Sequence, residues 1–368
     1  MTDFRLPPEL VPVDGRFGCG PSKIRPEQVD YLVSHAHLLG TSHRQQPIRE
    51  LVGRVRAGLA DLYRLTDGYE VVLGNGGSTA FWDAAAFSLI DKRSAHLSFG
   101  EFGQKFATAA NAPWLTAPAV VQSDPGTVAA FVGDEEADVF AYPHNETSTG
   151  AMASVRRQGT GGSLTVVDAT SAAGGVDIDV RETDVYYFAP QKNFASDGGL
   201  WFALMSPAAI DRIGQVAASD RYIPEFLSLG IAIENSRLDQ TLNTPAIATL
   251  LLMDAQIQWI AENGGLTWAH ARTKDSSDQI YAWAEAHPNA SPFVANPEHR
   301  SQVVATIDFD ESVDASRVSA MLRSNGIVDI DPYRKLGRNQ LRIATFTAVD
   351  PSDVSRLLGA IDSAISAL

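Results

Sequence analysis

The sequence predicts an α/β protein: a large domain built on a mostly parallel, seven-stranded sheet between helices, followed by a small C-terminal α+β domain. Three observations predict it. Between residues 69 and 205, seven short runs rich in β-branched and aromatic residues alternate with helical or irregular segments, the pattern of a parallel sheet covered on both faces. After Gly264-Gly265 the alternation changes character. At 368 residues the chain also exceeds the size at which a single core stops growing. The expected division is an arm at 1–15, a large domain at 16–265 and a small domain at 266–368.

Taken in order, the arm is extended and Pro-rich, and it runs into a turn at Gly18-Cys19-Gly20-Pro21. A helix is expected from Arg25-Pro26, ending before the loop Gly40-Thr41-Ser42-His43-Arg44. Apolar residues at helical spacing predict an amphipathic helix over 48–65. A strand at 69–73 leads into Gly74-Asn75-Gly76-Gly77-Ser78-Thr79 and then an apolar helix over 80–90. Strand, glycine loop, Ser/Thr cap and helix is an arrangement that presents backbone N–H groups to a phosphate; a plain strand-to-helix turn reads equally well. The loop fits neither GxGxxG nor GxxxxGK[ST], so nucleotide binding is not favoured. Further strands are expected at 94–98, 117–121, 139–142, 164–167, 185–188 and 200–205, with Phe102 and His144-Asn145-Glu146-Thr147 in strand-end loops. Thr244 as N-cap with Pro245 at the first helical position predicts a long apolar helix from Ala246 to about Ala261. Beyond 266, helices are expected near 267–286, 314–325 and 351–366, and strands at 302–308, 326–330 and 340–345.

A net charge of −15 argues against a general nucleic-acid binder, while leaving room for a small anionic substrate held by a few arginines. The single cysteine, Cys19, excludes an internal disulfide and a Cys-rich metal site, and the eight histidines show no HxxxH spacing, so no metal site is read. No apolar run reaches membrane-span length and the N-terminus lacks a secretory pattern, so a cytoplasmic protein is expected.

The stretch from Thr165 to Gly199 carries the chemistry. Asp168 ends one buried strand, and Lys192, 24 residues later, follows another in the small-residue loop Ala189-Pro190-Gln191-Lys192-Asn193. A pyridoxal phosphate site needs a lysine amine to condense with the aldehyde and a carboxylate to keep the ring nitrogen protonated. On these two residues alone, a turn-capping Asp and a solvated Lys stand beside that reading.

Read together, the segments resemble the phosphoserine aminotransferases, pyridoxal phosphate enzymes of aminotransferase class V with the fold-type-I architecture, in their actinobacterial branch. The resemblance spans nearly the whole chain. It rests on Gly20-Pro21, Ser42-His43-Arg44, the loop at 76–79, Asn145-Glu146-Thr147, Asp168, Gln191-Lys192-Asn193 and Asn243-Thr244-Pro245 in the family's order.

The resemblance implies roles. Lys192 would hold the cofactor and move the proton; Asp168 would pair with the ring nitrogen. Phe102, where better-known members carry Trp, would stack on the ring, and Thr147 would bond its hydroxyl. Gly77, Ser78, Thr79 and Gln191 would hold the phosphate, although many members carry Arg at the position of Ser78. Asn243 and Thr244 would reach the phosphate in the neighbouring subunit of a homodimer. Arg342 would clamp the substrate α-carboxylate, a match for the guanidinium fork. His43, Arg44 and Arg334 would bind the phosphate of 3-phosphoserine or the distal carboxylate of glutamate. Arg338 and Lys335 complete a basic cluster around that last segment. The implied reaction exchanges the amino group between glutamate and 3-phosphohydroxypyruvate in serine synthesis, with a second role in vitamin B6 synthesis open. Two alternatives remain: a serine or alanine:glyoxylate type aminotransferase of the same class, and an α/β binding protein that has lost the cofactor.

Overall fold

The structure, a computed structural model, describes residues 4–66, 68–131, 136–159 and 161–368. Helices α1 (Pro26–Ser34) and α2 (Gln46–Leu62) precede β1 (Glu70–Gly76), α3 (Ser78–Ser88), β2 (Ser94–Ser98), α4 (Glu101–Ala109) and β3 (Ala119–Gln122). Then come β4 (Val139–Pro143), a small hairpin of β5 (Asn145–Glu146) and β6 (Ala151–Met152), β7 (Leu164–Asp168), β8 (Val185–Phe188) and β9 (Gly199–Met205). Helices α5 (Pro207–Ala217), α6 (Leu229–Arg237) and α7 (Ile247–Glu262) follow.

Seven strands form one sheet in the order β1-β9-β8-β7-β4-β2-β3. Only β9 runs against its neighbours, so the sheet is mostly parallel as the alternation predicts. Side chains alternate between its faces. Tyr186, Phe188, Leu200 and Phe202 join the core under α2 and α7, while Val185, Tyr187, Trp201 and Ala203 join the core under α3, α5 and α6. Each buried aromatic ring of this kind contributes roughly 2–3 kcal/mol by leaving water.

Strand β1 runs three residues beyond its expected end, through Gly74, Asn75 and Gly76. Antiparallel pairing with β9 carries it on, Gly74 opposite Trp201 and Gly76 opposite Gly199. A Cβ at Gly74 would lie 2.4 Å from the Trp201 ring, so this glycine is there for close packing rather than for a turn. Gly77, not Ser78, then stands at the N-cap of α3.

The C-terminal part has α8 (Gly265–Ala286), β10 (Ala290–Pro292), β11 (Val304–Phe309), α9 (Ala315–Arg323), β12 (Gln340–Ala344) and α10 (Pro351–Ser366). Its sheet is β10-β11-β12. The strand expected at 326–330 reduces to a parallel bridge between Val328 and Arg16. The segment directly after the N-terminal arm supplies that partner, and its Phe17, together with Leu6 of the arm, packs with Ile307, Ile343 and Leu357. Helix α8 joins both cores, with Leu266 and Ala269 in the large one and Ile280 and Ala284 in the small one.

Two histidines are sealed in the sheet region. His96 on β2 and His144 after β4 are 1% and 3% exposed, and burial pushes each down to about 3. A histidine kept neutral in the fold but free to protonate when unfolded gives stability that is complete above its unfolded value, near 6.5, and is lost as pH falls toward 3. Stability should therefore fall between pH 6 and 4 by up to roughly 1.4 kcal/mol per pH unit for each histidine. Asp168 and Glu146, raised by burial, oppose this by binding protons in the fold. Urea midpoints across that range should fall less steeply for His96→Gln; an unchanged slope would assign the acid sensitivity elsewhere.

Candidate active site

The sheet brings the sequence-predicted residues to one edge. Asp168 ends β7, Lys192 follows β8, α4 starts just after β2, and β1 leads into Gly77 and Ser78. These are the carboxyl ends of the parallel strands, where such sheets form crevices.

Asp168 is buried and receives four hydrogen bonds. Thr170 donates its N–H (2.9 Å) and its hydroxyl (2.5 Å) to Oδ1; the Tyr187 hydroxyl (2.9 Å) and Trp82 Nε1 (3.4 Å) donate to Oδ2. Burial raises the carboxyl, and these donors pull it back. Ser78 Oγ lies 2.6 Å from the Thr170 hydroxyl, which ties the first turn of α3 to Asp168.

Lys192 lies partly exposed against the Cys19-Gly20 turn, its Nζ donating to the Cys19 carbonyl at 2.5 Å. Burial, with Arg342 nearby, lowers the amine to about 8, against the attraction of Cys19 and Asp168. Ser22 N–H donates to the Gln191 carbonyl at 2.7 Å, so the two segments are laced together.

Phe102, expected in a loop, stands in the first turn of α4. Gly100 offers no side chain to cap that helix. The fully buried Glu146 does it from a distance, accepting from Phe102 N–H and Gly103 N–H at 3.0 Å each. The same carboxylate accepts from the Ser148 hydroxyl at 2.7 Å. Thr147 is buried beside it, and its carbonyl accepts from Arg342 Nη1 at 3.0 Å. Arg342, on β12, stands 5.3 Å from the Tyr333 ring. Lys192, Asp168, Phe102, Thr147, Gln191, Ser78 and Arg342 thus line one region where the seven-stranded sheet meets the β10-β11-β12 sheet.

His43 and Arg44 form a second group, with Asn243 and Thr244. His43 Nδ1 lies 3.2 Å from the Thr244 hydroxyl. The Arg44 guanidinium donates to Gln240 and, at 3.2 Å, to the Leu242 carbonyl. Asn75, at the end of β1, accepts from Asn243 N–H (3.4 Å) and donates to the Thr244 carbonyl (3.1 Å). These bonds keep 243–244 out of the helix, so α7 starts at Ile247 with Ala246 as N-cap, and Thr244 caps nothing. Thr79 is exposed on α3, and Arg334 is exposed on a short 3₁₀ turn (Arg334–Leu336). Of the other basic residues in that segment, Lys335 pairs with Glu101 at 2.5 Å and Arg338 pairs with Asp308.

A family model described as aminotransferase class V matches residues 27–329. The chain belongs to the class-V aminotransferases. Over 368 residues this class-V chain is 59% identical to a protein of Mycolicibacterium vanbaalenii named putative phosphoserine aminotransferase, covering all of this chain and 99% of that one. It is 58% identical to the phosphoserine aminotransferase of Corynebacterium glutamicum, with 98% and 97% covered. The crystal structure of a phosphoserine aminotransferase from Cytophaga hutchinsonii superposes with a TM-score of 0.89 at 20% identity, over 95% of this chain and 98% of that one, which shows the shared fold.

The residues fit the pyridoxal phosphate of this class. Among the described residues, Arg342 Nε, Gln191 Oε1 and His43 Nε2 are buried without hydrogen-bond partners, a cost of roughly 1–3 kcal/mol each unless a ligand answers them. Sequence reading gave no role to Tyr187, Trp82, Thr170, Glu146 or Asn75. Thr170 carries a local signal, two residues after Asp168 in an Asx-turn position. The others do not: Tyr187 meets Asp168 only through the register of β7 with β8.

Proposed function

We propose that the chain is a homodimeric phosphoserine aminotransferase, passing the amino group of glutamate to 3-phosphohydroxypyruvate to give 2-oxoglutarate and 3-phosphoserine. The observation that carries it is the meeting of Lys192, Asp168 and an incompletely bonded Arg342 in a chain nearly 60% identical along its length to proteins of that name. Pyridoxal phosphate supplies an electron sink for the charge left when the substrate α-carbon loses its proton.

The protein's own residues do the rest. Lys192 is the amine that would hold the cofactor and, when freed, would take the proton from the substrate α-carbon and return it to the carbon on the far side of the amino nitrogen; an amine near 8 suits both directions at neutral pH. Asp168 holds a positive ring nitrogen. Phe102 provides the flat apolar face, and Thr147 the hydroxyl contact. The N–H groups of Gly77, Ser78 and Thr79, with Gln191, hold the phosphate; without an arginine at 78, the N-terminus of α3 supplies positive potential. Arg342, anchored through Nη1 on the Thr147 carbonyl, has its unpartnered Nε side left for the α-carboxylate.

The second group supports the dimer. His43 and Thr244 touch each other on this chain, and together with Asn243 and Arg44 they would complete the site of a second copy. There Arg44 and Arg334 would face the substrate's distal anion. The protein is proposed to act in the cytoplasm, in serine synthesis and, with a phosphorylated hydroxythreonine, in pyridoxine synthesis. The arm and residues beyond 265 would form the small domain, with α8 as the shared element.

Glutamate and phosphoserine should each bleach the yellow absorbance of the purified protein. Bleaching by glutamate alone would keep the aminotransferase and discard the substrate. Arg44→Ala and Arg334→Ala should weaken phosphoserine roughly tenfold or more, while alanine, which has no second anion, changes little. Equal losses for the two amines would remove the anion pocket.

A further inference from the structure

The carboxylate of Asp168 is held by neutral donors only in the four hydrogen bonds it accepts, and two of these come from core aromatic side chains whose polar atoms turn onto it. Trp82 Nε1 donates to the Tyr187 hydroxyl at 2.8 Å and, more weakly, to Asp168 Oδ2 at 3.4 Å. Tyr187 in turn donates to Oδ2 at 2.9 Å. The chain therefore runs one way, from indole N–H through phenol to carboxylate.

Its members cannot drift. Phe81 stacks on the Tyr187 ring at 4.2 Å and Phe106 meets it edge-on at 5.9 Å. Tyr187 has no exposed surface and Trp82 has 5%. The donors sit on separate elements, α3 and β8, so the arrangement is a product of the fold rather than of a local turn.

The chemistry explains why the donors are neutral. A buried carboxylate stripped of water tends to keep its proton, and a protonated Asp168 offers nothing to a cationic ring. An arginine beside it would hold the charge but would also repel the ring nitrogen's own proton. Neutral N–H and O–H donors stabilise the anion and leave its charge for the cofactor. We propose that Tyr187 and Trp82 are positioning residues that fix Asp168 as the anionic partner of the cofactor's ring nitrogen, and so set how strongly the site prefers a ring that carries that nitrogen. This rests on the reading that Asp168 pairs with the ring nitrogen.

The test compares equilibrium binding of pyridoxal phosphate with that of its 1-deaza analogue, in which the ring nitrogen is a C–H, to the full-length chain; no turnover is read. Wild type should prefer the nitrogen ring. Tyr187→Phe should cut that preference roughly tenfold, the scale of a hydrogen bond to a charged group, mainly by weakening the natural cofactor. Trp82→Phe, removing one short bond to the phenol and one long bond to Asp168, should cut it less. Asp168→Asn should erase it. A general packing defect weakens both ligands alike and leaves the ratio unmoved. If Asp168→Asn erases the preference while Tyr187→Phe and Trp82→Phe keep it, the positioning role is wrong and the Asp168 pairing stands. If Asp168→Asn keeps the preference, the pairing falls and this inference with it. Should Tyr187→Phe fail to fold, Trp82→Phe makes the same comparison.

Discussion

Lys192→Ala should lower transamination by at least ~10⁴-fold, the upper range for removal of a positioned acid–base group, with loss of the cofactor attachment added to it. The same variant should fold at least as well as wild type in the absence of cofactor. The structure gives the reason: the lysine amine donates to the Cys19 carbonyl and is otherwise largely shielded from water. Its amine is held at about 8 instead of the ordinary 10.5, chiefly by burial. A lysine lowered in the fold is a cost fully present below pH 8 and gone above 10.5. That cost is at most about 3 kcal/mol, reduced by the solvent access that Lys192 retains. Thermal unfolding of the cofactor-free variant at pH 7 and turnover with glutamate measure both halves. Turnover within tenfold of wild type would end the assignment of Lys192; a sharp drop in stability with lost turnover would make the lysine structural.

What could be read from the sequence followed from where each cause lies. Asp168 and Lys192 were legible because short buried runs end at them, and because the chemistry needs those residue types. The seven strands were legible because buried parallel strands are short, apolar and β-branched. Four features were not, and each depends on a partner away from it along the chain. Phe102 follows a strand end in Gly100-Glu101-Phe102-Gly103, which reads as a loop; the helix that starts there has its first N–H groups answered by Glu146, which no local pattern connects to it. Thr244-Pro245 has the form of a helix start, but Asn75 holds that segment extended through two hydrogen bonds. The stretch 326–330 has strand composition, but it is joined to its neighbours by an isolated bridge from Val328 to Arg16 and a single bond from Arg342 N–H to the Ile330 carbonyl. Tyr187 and Trp82 are core aromatics, and only the register of β7 with β8 and the position of α3 turn their polar atoms onto Asp168.

Gly20→Ala should lower kcat/KM about 100-fold while the protein stays folded. Gly20 has φ +145, in the range that favours glycine, so alanine there strains the backbone by roughly 1–2 kcal/mol. The larger effect is on Lys192. A Cβ at position 20 would lie 1.8 Å from Nζ and 2.8 Å from Cε, inside any permissible contact. Backbone at 20 is tied in through the neighbouring Ser22 N–H to Gln191, whereas the end of a lysine side chain is free to move, so the lysine yields. The amine then leaves the Cys19 carbonyl and its approach to the reacting carbon by an ångström or more, and a misplacement of that size costs on the order of 100-fold. The signature is specific: kcat should fall more than KM rises, because Arg342 and the anion-binding residues are untouched. Wild-type kcat in Gly20→Ala would mean that the lysine works from a position other than the one this turn imposes. A rise in KM alone would mean that the turn shapes the substrate pocket and leaves proton transfer alone.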